Sequence, residues 1–137
     1  WNRYLTRKTL PHGVVAGASN AMPREWQRAW RVCREGDPEL MERYGAILED
    51  FREAAEFTRS GRAFRPTIAC LKAALVEMGV CSSDAVAPGT PALDESQRRQ
   101  FLRRFRGLRR RAAAMLEPGW LSEWAARRPV SRARLDG

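Results

Sequence analysis

Lysine is nearly absent from this chain. Of its 25 Lys and Arg residues, only Lys8 and Lys72 are lysines. An amine nucleophile therefore has two candidate positions. Histidine occurs once, as His12. A metal site built on paired imidazoles is excluded, and Ser19 has no acid or second histidine placed for a triad. The cysteines are three, Cys33, Cys70 and Cys81. Their odd number, wide spacing and lack of a paired CxxC exclude a disulfide framework or a zinc site. They read as reduced, half-buried thiols, as expected of a cytoplasmic protein. Long apolar runs are missing too, so no stretch reads as a membrane span or a signal peptide.

Arginine fills the place that lysine leaves. It supplies nearly all of the formal net charge of +9. Such a skew reflects genomic base composition more often than chemistry. The stretch His12-Gly-Val-Val-Ala-Gly-Ala-Ser-Asn-Ala-Met-Pro23 stands apart from the rest. Val14 to Ala18 are small or β-branched and uncharged, which predicts a short buried strand over 13–18. Asn20 and Pro23 then open a helix, with Pro near the first turn. A strand feeding into a helix is the unit of a parallel α/β fold. Trp1 to Leu10 has the mixed polarity of a helix entered midway. The chain is therefore expected to be the end of something larger.

Helical periodicity and capping residues predict four helices. The first spans 23–35, with Trp26, Trp30 and Cys33 on one face and Gly36 beyond its end. Asp37-Pro38 opens the second, over 38–60, with Leu40, Tyr44, Ile47, Leu48, Phe51 and Ala55 at helical spacing. The third covers 67–79, starting at Pro66 or Thr67 and showing Ile68, Leu71, Leu75 and Met78 before Gly79. Pro88 and Pro91 make Cys81 to Leu93 a non-helical link. Asp94 caps the fourth, over 94–116, and Gln97 stands at the capping-box position. That helix presents Phe101, Leu102, Phe105, Leu108 and Leu116. A loose basic tail follows, over 119–137, with Trp120 and Trp124 placed to pin its first turn.

Three blocks of these residues carry a resemblance. His12 to Pro23 resembles the eighth strand and turn of the dihydrodipicolinate synthase and N-acetylneuraminate lyase family, which has a Gly-Val-Ile-Ser strand and then Asn-x-x-Pro. Pro66 through Lys72-Ala73-Ala74 to Glu77-Met78-Gly79-Val80 resembles the family's proline-led helix. Pro88-Gly89-Thr90-Pro91 resembles its Leu-Pro-x-Thr-Pro link. The likeness runs from about Leu10 to Leu116. It implies the C-terminal part of a (β/α)8 barrel, which typically needs about 250 residues. Residues 1–36 would be the last βα unit and 37–118 an appendage of three helices, so the segment is mainly α with one short strand.

The resemblance also implies a class I aldolase. A lysine on the sixth strand forms a Schiff base with pyruvate or a related 2-oxo acid. A tyrosine on the fifth strand relays protons, and a loop after the second strand holds the carboxylate. None of these positions falls in this chain, so no catalytic residue is expected in it. Without an amine nucleophile, no iminium forms to act as an electron sink. Lys8 reads as solvated, and Lys72 matches a structural lysine of the family. His12 is read as a loop residue and Ser19 as a turn hydroxyl. Val15, Ala16 and Gly17 are the expected pocket lining, with Ala16 where the family usually has serine. The family commonly forms homotetramers, so a homo-oligomer is expected; no cofactor and no metal are.

Arginines 98, 99, 103, 104, 106, 109, 110 and 111 crowd the fourth helix opposite an apolar face. A basic amphipathic helix can bind nucleic acid or an anionic membrane. No aromatic platform is interleaved with these arginines, and arginine is abundant throughout. A solvated face is favoured, with neither nucleic acid nor membrane as partner. A third reading is a structural helical module without a ligand.

Overall fold

The computed structural model describes residues 15–115. Its elements follow in order a 3-10 turn, Gly17–Asn20; two helices, α1 (Pro23–Glu35) and α2 (Pro38–Ala54); a hairpin of β1 (Phe57–Arg59) and β2 (Arg62–Phe64); and two further helices, α3 (Thr67–Glu77) and α4 (Glu95–Met115). The described chain is thus mainly helical, with one two-stranded antiparallel sheet.

The strand expected over 13–18 is not formed by its described residues. Ala16 has extended backbone, but Gly17–Asn20 is a turn. The cause is local. Ser19 donates twice to the Ala16 carbonyl, from its amide at 3.0 Å and its hydroxyl at 2.6 Å. The Asn20 side-chain amide donates to the Gly17 carbonyl at 3.1 Å. Side chains that bond the backbone this way compete with sheet ladders. No strand among the described residues pairs with 15–18. Residues 13 and 14 lie outside the described residues.

The helix boundaries follow their caps. Pro23 sits at the start of α1, and Gly36 takes a left-handed φ of 79° at its end while its amide bonds the Val32 carbonyl. At α2, the Asp37 carboxylate accepts from the Leu40 amide at 3.0 Å. Met78 and Gly79 end α3 in a Schellman arrangement: the Val80 amide reaches the Leu75 carbonyl and the Gly79 amide reaches Val76. Gly79 can adopt the required φ of 71° because it lacks a Cβ. The capping box on α4 is reciprocal. Asp94 accepts from the Gln97 amide at 2.8 Å, and the Gln97 side chain accepts from the Asp94 amide at 3.1 Å. Asp94→Ala should lower stability by about 1 kcal/mol. A urea midpoint equal to that of the parent chain would refute this.

The second helix is shorter than 38–60. It stops at Ala54, and the hairpin takes the remainder. Phe57 pairs with Phe64, Thr58 with Ala63 and Arg59 with Arg62. Ser60 and Gly61 form the two-residue turn, with φ of 52° and 73°. Two left-handed residues match the twist of a hairpin, and this step places Ser60, the only described non-glycine residue with positive φ, in a strained region. The Arg59 guanidinium lies 4.0 Å from the Phe64 ring centre, and Arg65 pairs with Glu56 at the base of the hairpin at 2.6 Å.

Three phenylalanines centre the core. Phe101 and Phe105 stack at 5.7 Å, and Phe51 meets them edge-on at 6.2 and 6.0 Å. Phe101, Leu102, Phe105 and Leu108 are buried as their spacing predicts; Leu116 lies outside the described residues. On α3 the buried face is Ala69, Cys70, Ala73 and Ala74. The larger residues expected there are displaced: Leu71, Leu75 and Met78 are half-buried and Ile68 is 58% exposed. Small side chains let α3 approach its neighbours closely, which rotates the bulky ones to the flanks. Ala21 and Met22 join the same core, which therefore crosses the division at Gly36. A smaller cluster of Ala29, Val32, Tyr44 and Leu48 joins α1 to α2. There Trp26 and Trp30 are half-buried and Cys33 is buried.

Candidate functional site

Val15, Ala16 and Gly17 border a cleft between the turn and the helices. With Ala18 they form one wall of it, and its volume is about 340 Å³. Trp26 of α1, Leu48, Phe51 and Ala55 around α2, and Thr67 of α3 complete it. The volume is within the range of small-ligand sites, and the lining is largely apolar. Its charged members, Glu49 and Arg52, pair with each other at 2.9 Å. Val15 is fully exposed at the mouth (relative accessibility 104%). Only the family resemblance singles out 15–17, and the opposite wall comes from three separate helices. Trp26 carried the one usable signal, an aromatic on the face of α1 that follows the turn.

Among the described residues, the cleft is lined by no amine, imidazole or thiol. Lys72 is elsewhere on α3, where its ammonium donates to the Ala85 carbonyl in the link. Ser19 spends its hydroxyl proton on the turn. Burial pushes the Cys70 thiol up to about 12 and raises Cys33 as well, so neither is a thiolate at neutral pH. Lys8 and His12 lie outside the described residues. No group of three His, Cys, Asp or Glu suited to a metal occurs among the described residues. The cleft can bind or abut an apolar surface, and its described lining includes no amine.

Lys72 and Arg98 do hold the link against the helices. The Arg98 guanidinium donates to Asp84 at 2.6 Å and, chiefly through this bond, keeps its carboxyl below the usual range. Ala87 to Thr90 makes a turn, with the Thr90 amide bonded to the Ala87 carbonyl and Gly89 at a φ of 81°. The link is therefore a strap fixed at Ala85 and Asp84.

A larger groove, about 1020 Å³, runs between the end of α2, the hairpin and α4. Its charges are mostly matched. Arg104 donates to the carbonyls of Ala54 and Glu56 at 3.4 and 3.0 Å, where α2 ends, and Arg111 pairs with Asp50. These contacts join helices across solvent, and Gln100 and Arg103 line the same groove. No helix among the described residues is long and apolar enough to cross a membrane.

Compared with known proteins, the chain matches no family model, no curated protein and no solved structure.

Proposed function

We propose that this chain is the C-terminal segment of a lyase resembling the dihydrodipicolinate synthase family, which cleaves or condenses pyruvate or a related 2-oxo acid through a Schiff base. The observation that supports it is where the three resembling blocks fall. Pro23 starts α1, Pro66 and Gly79 bracket α3, and Pro88-Gly89-Thr90 turns the link toward the cap of α4. Each block therefore sits at an element boundary, and helices occupy the intervals between them. The apolar cleft beside Val15, Ala16 and Gly17 is the face that a (β/α)8 barrel would meet. Extended backbone at Ala16 is the point of junction. In this reading the segment closes the barrel, lines part of the pocket and contributes to contacts in a homo-oligomer. The amine, the proton relay and the carboxylate-binding loop belong to the barrel.

The reading has a direct test. Sequencing the coding DNA upstream should reveal, in frame, barrel units that include a lysine-bearing sixth strand. Borohydride reduction with pyruvate should then trap an adduct on that lysine in the longer protein. The chain of 137 residues alone should trap none. An adduct on Lys8 or Lys72, or an upstream frame without βα units, would overturn the proposal.

A further inference from the structure

We propose that the outer ridge of α4 is a docking surface for a phosphodiester polyanion, a nucleic acid held by its backbone. This proposal is independent of the lyase reading. It departs from the expectation of a merely solvated face because the structure shows which guanidinium groups are engaged. The helix carries eight arginines and one carboxylate, Glu95. Arg98, Arg104 and Arg111 turn inward to Asp84, to the end of α2 and to Asp50. They fasten the helix to the fold. Arg99, Arg103, Arg106 and Arg110 follow at intervals of four, three and four. At about 100° per residue they share an arc about 60° wide. It lies opposite Phe101, Phe105, Leu108 and Ala112, which are buried.

Along this ridge Arg99 meets Glu95 at 3.3 Å, and Arg106 makes two bonds to Glu77 at 2.6 and 3.0 Å. Arg103 and Arg110 have no ion pair or hydrogen bond among the described residues. Seven residues of helix place them about 10.5 Å apart. Guanidinium groups on long side chains at that separation can reach separate phosphates of one backbone. Ser96 and Gln100 add a hydroxyl and an amide beside Arg103, in a groove of about 480 Å³. A strand of phosphates can therefore meet guanidinium groups and neutral donors on one face.

The buried side of the helix chooses between two polyanions. An interfacial helix binds a membrane by inserting its apolar face into the lipid. Here that face is fully used by the core. A polymer of phosphates asks only for the exposed ridge. No aromatic residue lies on the ridge to stack on a base, so contact is to the backbone and independent of sequence.

The test uses the full chain and a short mixed-sequence DNA duplex, with affinity measured by fluorescence anisotropy over a range of salt. Each lost phosphate contact flattens the plot of log K against log salt by about 0.9. Arg103→Gln with Arg110→Gln should flatten it by about 1.8, so the parent chain loses roughly 12-fold more affinity than the variant between about 50 and 200 mM salt. Arg34→Gln with Arg62→Gln removes the same net charge from exposed sites on α1 and the hairpin and should leave the slope unchanged. Circular dichroism should give both variants the helix content of the parent. Absence of duplex binding at low salt, or equal slopes for the two pairs, would overturn the proposal. So would binding to anionic vesicles with the same dependence on Arg103 and Arg110, which would make the surface a membrane site.

Discussion

Phe105→Ala should unfold or nearly unfold this chain at ordinary temperature. Phe105 is fully buried, stacked on Phe101 at 5.7 Å and met edge-on by Phe51 at 6.0 Å. Replacing a buried phenylalanine by alanine costs about 3–5 kcal/mol, through lost transfer energy and the cavity that remains. Each aromatic pair adds about 0.5–1.5 kcal/mol beyond burial. Domains of this size are stable by only about 5–15 kcal/mol in total. The site also has little scope to collapse. Phe51 on α2 and Phe101 on α4 are held by their own helices, and Leu108 and Ala112 already fill the adjoining turn. A thermal melt followed by circular dichroism should show Tm lower by at least roughly 12 °C. A shift of only a few degrees would mean that α4 is not part of the core, and the architecture would need revision.

The consequence extends beyond α4. Phe51 belongs to α2, and the alanine face of α3 shares the same core. The hairpin base is tied to α4 as well, since Arg104 bonds the carbonyls of Ala54 and Glu56 and lies 5.9 Å from the Phe57 ring centre. Removing Phe105 therefore loosens the surfaces on which α2, α3 and the hairpin rest. The strap from Cys81 to Leu93, held at Asp84 by Arg98, would lose its anchor if α4 frayed.

The starts of the helices and the ends of α1 and α3 were legible because they are written in local chemistry. Pro23, Gly36, Asp37, Gly79, Asp94 and Gln97 each act within a turn of their own position, and each does what its residue type requires. The hairpin was not legible from periodicity. Its strands are three residues long, too short to show alternation, and Ser60-Gly61 also reads as a helix stop. The available signal was two phenylalanines, Phe57 and Phe64, flanking that dipeptide symmetrically. Composition favours a strand over 15–18, whereas the Ser19 and Asn20 side chains decide the backbone. Val15, Ala16 and Gly17 form one wall of the cleft. Its other wall, Trp26, Leu48, Phe51 and Thr67, depends on how three helices meet, which no local pattern encodes.

The face of α3 gives the sharpest contrast between hydrophobicity and burial, and a paired substitution separates them. Ala73→Leu should be severely destabilising, and Ile68→Ala close to neutral. Ala73 has no exposed surface, and Ala69, Cys70 and Ala74 beside it are buried as well. This row lets α3 pack closely against α4 and the turn at Ala21 and Met22. Three added carbons have no vacant volume there. They must displace a helix or force side chains off their rotamers, at a cost of about 1–3 kcal/mol and at times more. Ile68 is 58% exposed, and its truncation removes little buried area. Surface changes of that kind usually fall within about 0.5 kcal/mol. A stripe read from large residues alone, Ile68, Leu71, Leu75 and Met78, leads to the opposite ranking. Urea denaturation of the two variants decides between them. If Ile68→Ala costs more than Ala73→Leu, then α3 is rotated from the orientation described and the small-residue contact with α4 does not exist.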